Sequence, residues 1–229
     1  MRTLWASVAG SHAWKMATPS SDIDIVEVVI DDTKDIFIGK GMSRPKVYNQ
    51  DSKIEPSPEV KKLINDVGQG GWRKDKYDVT QMEIGHLCDQ LKKGNINAMW
   101  AVMSPIHTKS EDLEKLKGFV QLNLSVVTWK SVKGCVLNLA DKNTDKKLKV
   151  AMRMIMQFYT MMDEERVVFD PVVETPSLET IQELVDSIDL RILKGDNKIE
   201  RPIDEQDFDN YLLLLREDNY DKEQEFNIR

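Results

Sequence analysis

Residues 9–30 read AGSHAWKMATPSSDIDIVEVVI, a Gly10-Ser11 turn followed after ten residues by Asp22-Ile23-Asp24-Ile25. In an extended segment successive side chains point to opposite faces, so Asp22 and Asp24 share one face while Ile23 and Ile25 enter a core. The strand rise places the two carboxylates about 7 Å apart. Two like charges at that spacing are best satisfied by a cation. With no histidine or cysteine cluster nearby, oxygen-only ligation favours Mg²⁺ or Mn²⁺ over zinc, and Mg²⁺ usually shares its shell between one or two carboxylates and substrate phosphates. The plain alternative is a Ser20-Ser21-Asp22 turn ahead of an ordinary strand with solvated aspartates.

With apolar Ala9 ahead of Gly10-Ser11, and Asp22 and Asp24 set among isoleucines, the segment resembles the signature of the polymerase-β-like nucleotidyltransferase superfamily. The longer wording is most similar to a subgroup of small predicted nucleotidyltransferases of bacteria, archaea and phages. That subgroup typically reads Gly-Ser-x-Ala-aromatic-Gly-x-x-Thr-Pro-x-Ser-Asp-x-Asp, and Ala13, Trp14, Thr18, Pro19 and Ser21 fit it. Lys15 stands where the subgroup usually has glycine, and Glu27 where it often has arginine. The subgroup also carries a later acidic residue followed by Gly-Asn-x-Asn. Asp78 and Gly94-Asn95-Ile96-Asn97 match, with Trp100 in place of an acidic residue. The resemblance therefore implies Asp78 as the third metal-binding carboxylate, with Glu83 as the competing choice.

Hydrophobic residues make up 41% of the 229-residue chain and charged residues 31%, the balance of a folded globular protein rather than a disordered one. No apolar run approaches the roughly 20 residues of a membrane span. Thr3 to Ala13 is read as a buried first strand and not as a signal peptide, because cleavage there would remove the motif. Cys88 and Cys135 show no zinc or paired spacing, which suits a reducing, cytoplasmic setting. A net charge of −7 argues against a large nonspecific nucleic-acid surface while leaving room for a local basic groove.

Thr3 to Ala9 and Ile23 to Ile30 read as two strands of one sheet. From about Asp31 to Lys76, Gly39, Gly41, Pro45, Pro56, Pro58, Gly68, Gly70 and Gly71 punctuate a loop-rich stretch, with short strands expected at Ile36-Phe37-Ile38 and Val47-Tyr48. Gly39-Lys40-Gly41 lacks phosphate-loop spacing and reads as a turn. A strand near Tyr77 gives way to helical spacing through Ile84, Leu87, Cys88 and Leu91, ending near Gly94. Helices are expected from about Ser110 to Thr128, Thr144 to Met162, Ser177 to Leu193 and Asp204 to Arg216, with a frayed charged tail from Glu217 to Arg229. On the second of these, Lys146, Lys149 and Arg153 fall on one face. By itself that is the pattern of a solvated face; subgroup members carry Lys-x-x-x-His-x-x-Arg here, which keeps Lys146 and Arg153 and puts Val150 at the histidine.

The implied fold is α+β: a nucleotidyltransferase-type mixed sheet with flanking helices over residues 1–108, then a helical lobe over 109–229 that closes one side of the cleft. The implied reaction moves an NMP from an NTP to an acceptor hydroxyl and releases pyrophosphate. Asp22, Asp24 and Asp78 would hold two Mg²⁺ or Mn²⁺ ions, Gly10 and Ser11 would cradle phosphates, and Lys146 and Arg153 would offset the remaining charge. An RNA 3′ end is the first expectation for the acceptor. A protein hydroxyl, a small molecule and a catalytically silent NTP-binding module are the alternatives.

Overall fold

The run of β-branched residues from Ile23 to Ile30 forms the strand on which the rest is hung. In the computed structural model, which describes residues 1–69, 74–170 and 174–227, this strand, β2 (Ile23–Ile30), lies between β1 (Arg2–Val8) and β4 (Tyr77–Glu83). β3 (Lys46–Asn49) completes a four-stranded mixed sheet in the order β1-β2-β4-β3. β1 runs antiparallel to β2, β4 parallel to β2, and β3 antiparallel to β4. A parallel central pair requires a crossover. Here residues 31–76 supply it, and they carry α2 (Thr33–Phe37), β3 and α3 (Pro58–Gly68).

The alternation along β2 sorts its side chains between two layers. Ile23 and Ile25 pack with Ala6, Val8, Tyr48 and Val79 beneath Val60, Leu63 and Ile64 of α3. Val28 and Ile30 enter the larger core, built with α4 (Ile84–Lys92), α5 (Ile96–Met103), α6 (Glu111–Leu122), α7 (Val127–Ala140), α8 (Asp145–Glu164), α9 (Leu178–Leu193) and α10 (Glu205–Asn227). Buried side chains from both sides of position 108 share this core. Asp24 has the parity of Val28, so it points toward the face that carries α8. The outer edge of β1 is covered by residues 104–108: Val8 N–H donates to Ile106 O at 2.8 Å, Thr108 N–H to Ala6 O at 2.9 Å, and Ser104 Oγ to Val8 O at 2.6 Å.

Four expectations require correction. Ile36-Phe37 belongs to a short helix, not a strand, and Phe37 is 82% exposed. The stretch read as loop contains α3, whose signals are plain in hindsight. Ser57 Oγ accepts from Val60 N–H, Pro58 occupies the first turn, and Val60, Leu63 and Ile64 form the buried stripe. The tail from Glu217 continues α10 to Asn227 with no apolar stripe to announce it. It is docked through polar contacts: Asn219 Oδ1 accepts from Arg2 Nε and Nη2 at 3.3 Å, and Glu223 Oε1 accepts from Thr33 N–H at 3.1 Å. The helix expected from Ser110 to Thr128 ends at Leu122, where Asn123 Nδ2 caps Phe119 O at 3.0 Å, and the chain restarts as the unanticipated α7. Gly39-Lys40-Gly41 is a turn, Val47-Tyr48 lies in β3, and helices occupy the other expected ranges. Gly70 and Gly71 lie outside the described residues.

Glu27 is the unusual member of β2. Only 1% exposed, it accepts from Thr3 Oγ1 at 2.9 Å, Tyr48 OH at 3.0 Å and Gln81 Nε2 at 2.9 Å, which ties β1, β3 and β4 to the central strand. Burial and the neighbouring Glu27 push the Tyr48 phenol above its ordinary value, so it stays a donor. Tyr48→Phe removes one of three donors from a buried carboxylate and is expected to cost about 1.5–3 kcal/mol in urea unfolding. A change within error would mean that Thr3 and Gln81 satisfy Glu27 alone.

Candidate active site

After β1 the chain must reverse to reach β2, and Gly10 makes the reversal. Its φ of +56° is the left-handed region, and a Cβ built there would lie 1.9 Å from Asp24 Oδ2. The space that a side chain would need is occupied by the Asp24 carboxylate. Ala9 N–H donates to Asp24 O at 2.8 Å and fixes the approach from the backbone side. One helical turn follows, α1 (Gly10–Ala13), and Lys15 then takes φ of +55°. Left-handed backbone is costly for a residue with a Cβ. The position where the subgroup usually has glycine thus keeps the backbone shape that glycine would favour.

The return leg, residues 18–21, is a turn closed by its own hydroxyls. Ser21 N–H donates to Thr18 O at 2.8 Å, Thr18 N–H to Ser21 Oγ at 2.9 Å, and the Thr18 and Ser20 hydroxyls lie 3.1 Å apart. Together α1, this turn, the start of β2, the residue before β4 and the start of α8 enclose a cleft of about 360 Å³. Ser11, Thr18, Ser20, Ser21, Asp22, Asp24, Lys76 and Lys146 line it. Its wall is hydroxyl, carboxylate and ammonium with little carbon, a surface suited to phosphate and metal rather than to an apolar ligand.

Register decides which carboxylates meet. In the parallel β2–β4 ladder Asp24 lies directly across from Asp78. Burial, then the Asp78 charge, then the Asp22 charge push the Asp24 carboxyl above its ordinary value, and Lys146 opposes them. Three of the expected residues therefore act on Asp24 at one end of the sheet, with Gly10 against it and Ser11 on the cleft wall. Glu83 is elsewhere. It ends β4, accepts from Gly85 N–H at 2.6 Å as the cap of α4, and is held 2.6 Å from Arg216 Nη2. Among the described residues no three Asp, Glu, His or Cys side chains converge to enclose an ion by themselves.

Arg153 stands apart from the cleft lining. It is 8% exposed, with its guanidinium carbon 5.2 Å from the Trp14 ring centroid, and Trp14 itself packs on Trp100 at 5.2 Å and Phe169 at 4.8 Å. Burial pushes Arg153 down to about 10, and its Nε and Nη1 find no hydrogen-bond partner among the described residues. Trp100, standing for an acidic residue of the subgroup, gives its indole N–H to Gln157. His12 and Lys15 face a second cavity of about 470 Å³ with Ala17, Asp66, Val67 and Ile106, and burial lowers the His12 imidazole below its ordinary value. Gly94-Asn95 has a local role: Asn95 Oδ1 caps α5 by accepting from Asn97 and Ala98 N–H at 2.9 and 3.3 Å.

Sequence reasoning missed Lys76, whose Nζ lies 2.7 Å from Asp22 Oδ1. The signal was its spacing of two from Asp78, which puts both on one face of an extended segment. No protein-family model matches the chain, and no curated protein matches it significantly.

The two left-handed positions predict opposite outcomes. Gly10→Ala is expected to displace the Asp24 carboxylate and lower the thermal midpoint. Lys15→Gly relieves backbone strain and is expected to be neutral or more stable by less than about 1 kcal/mol. Calorimetry on both variants checks this, and a Gly10→Ala variant as stable as wild type would overturn the close approach.

Proposed function

We propose that this chain is a metal-dependent nucleotidyltransferase that moves an NMP from an NTP to an acceptor hydroxyl, with an RNA 3′ end as the acceptor. The observation that carries the reading is Asp24: its carboxylate rests on a glycine turn on one side and faces Asp78 across the ladder on the other. The nucleotidyltransferase type of the α+β fold, and the choice of RNA, rest on the motif resemblance.

The donors suit a hard divalent cation. They are oxygens only, and the crowded charge at Asp24 is a penalty that bound Mg²⁺ or Mn²⁺ relieves. Asp22, Asp24 and Asp78 would supply the protein ligands, with phosphate and water oxygens completing each shell because the carboxylates alone do not enclose an ion. When bound, the metals neutralise the phosphoryl charge and stabilise both the entering and leaving oxygens.

The chain's own groups do the rest. The Gly10 and Ser11 backbone N–H groups, the Ser11 hydroxyl and the Thr18-Ser20-Ser21 hydroxyls hold phosphate oxygens. Lys146 and Lys76 offset triphosphate charge from two sides of the cleft. The acceptor oxygen attacks the α-phosphorus and loses its proton to the exposed Asp78 carboxylate or to water. The bond from the α-phosphorus to the bridging oxygen breaks, and pyrophosphate leaves. Positioning and electrostatics suffice for such a step, so no side-chain nucleophile is required.

The test is transfer of α-³²P from each NTP, with Mg²⁺ or Mn²⁺, to pooled small RNAs or to protein. Label on RNA supports the full proposal, label on protein keeps the reaction and changes the acceptor, and no label with intact NTP binding favours a silent binding module. Asp22→Asn and Asp24→Asn are expected to abolish transfer. Because the folded Asp24 carboxyl is held above its ordinary value, its ionised form opposes folding, so Asp24→Asn is expected to raise the thermal midpoint at pH 7. That gain shrinks as pH falls through the raised folded value and is gone only below about 4, where the carboxyl is protonated in both states; a lower midpoint at pH 7 would contradict the crowding.

Lys146→Ala is expected to raise KM for NTP. Arg153→Met keeps volume while removing a buried charge with no ion-pair partner among the described residues, so it is expected to gain stability and lose NTP affinity together. Unchanged affinity would confine Arg153 to packing against Trp14.

A further inference from the structure

Two carboxylate pairs at the mouth of the cleft are of opposite kinds. Asp24 faces Asp78, two like charges. Just before the strands, ahead of the first paired residues Ile23 and Tyr77, Asp22 meets Lys76, whose ammonium lies 2.7 Å from Asp22 Oδ1. The backbone beneath is fixed, since Ile23 N–H donates to Lys76 O at 3.0 Å. The side-chain contact is not. Asp22 Oδ1 is buried yet has no aligned hydrogen bond among the described residues, so Lys76 meets it as a point charge rather than through a directed bond. The two side chains are 34% and 43% exposed, and ion pairs of that exposure are weak and readily exchanged. Lys76 has a flexible stem and lines the same cleft as Ser11 and Lys146, so its ammonium can leave Asp22 without leaving the cleft.

We propose that Lys76 is an exchangeable counter-ion, occupying Asp22 until a triphosphate enters and then moving onto the phosphates, so that Asp22 becomes available to a divalent cation only in the presence of nucleotide. The inference rests on the nucleotidyltransferase reading and names the residue that orders ligand binding within it. In the nucleotide-free protein the open carboxylates are Asp24 and Asp78, which make no ion pair within 4.0 Å among the described residues. A triphosphate offers Lys76 a larger negative charge than Asp22 does, and the vacated carboxylate then stands beside Asp24. Nucleotide and cation thereby strengthen each other's binding, and by linkage the effect is equal in both directions.

Mn²⁺ titration followed by electron paramagnetic resonance, with and without a non-hydrolysable α,β-methylene NTP, tests this without any turnover. Removing one positive charge next to a ligand carboxylate is expected to tighten nucleotide-free Mn²⁺ binding about tenfold in Lys76→Met. With the analogue bound the ratio should fall to about one or reverse, because wild-type Lys76 has then left Asp22. Lys76→Arg keeps the charge and should follow wild type without nucleotide. Equal nucleotide-free affinities in Lys76→Met and wild type would overturn the proposal, as would a gap that the analogue leaves unchanged. Folded protein, by circular dichroism, that binds neither Mn²⁺ nor the analogue in any variant would instead remove the nucleotidyltransferase reading, and the role of Lys76 with it.

Discussion

The contact between the Asp24 carboxylate and the face of Gly10 is the constraint around which the site is arranged. It requires a residue without Cβ at position 10, a left-handed turn directly after β1, and a strand start that brings Asp24 under that turn. Ala9 N–H bound to Asp24 O locks the two chain segments together from the backbone. Once the turn is set, Ser11 is committed to the cleft, while His12 and Lys15 face the neighbouring cavity. The distribution of polar groups follows from one close approach.

The sheet transmits that constraint to the remaining carboxylates. Because β4 runs parallel to β2, its first residues arrive at the same end of the sheet as Asp22 and Asp24, with Asp78 across from Asp24 and Lys76, just ahead of the strand, on Asp22. The helical half then adds charge from above, with Lys146 at the exposed start of α8 and Arg153 two turns on, inside the protein. A cleft between sheet and helices is where a water-excluding surface and fixed charges can be combined, since the sheet supplies rigid spacing and α8 brings long cationic side chains. Arg153 over Trp14 ties α8 to the end of α1, so that helix and the Gly10 turn are mechanically joined.

Much of this was legible from residue order alone. The Gly-Ser turn, the period-two aspartates and the apolar parity of Ile23 and Ile25 are local patterns, and local patterns specify local geometry. α3 is equally legible: although glycines and prolines crowd the segment around it, Ser57, Pro58 and the stripe through Ile64 spell a capped helix. α10 beyond Arg216 was not legible by periodicity. Its outer half is charged on every face, and it is ordered by hydrogen bonds to Arg2 and Thr33 roughly two hundred positions away in the chain.

Residue order by itself determined the strands around the motif, the oxygen-rich character of the site and the need for glycine-like backbone after β1. These depend on side-chain chemistry and spacing within a few residues. Only the tertiary structure decided which distant charges meet. It set Asp78 across from Asp24 and left Glu83 at the far end of the strand with Arg216, put Lys76 on Asp22, and separated Lys146 in the cleft from Arg153 in the core. The physical reason is that charges interact through space at a few ångströms, whereas the register and packing that set those distances are collective outcomes of the whole sheet and its covering helices.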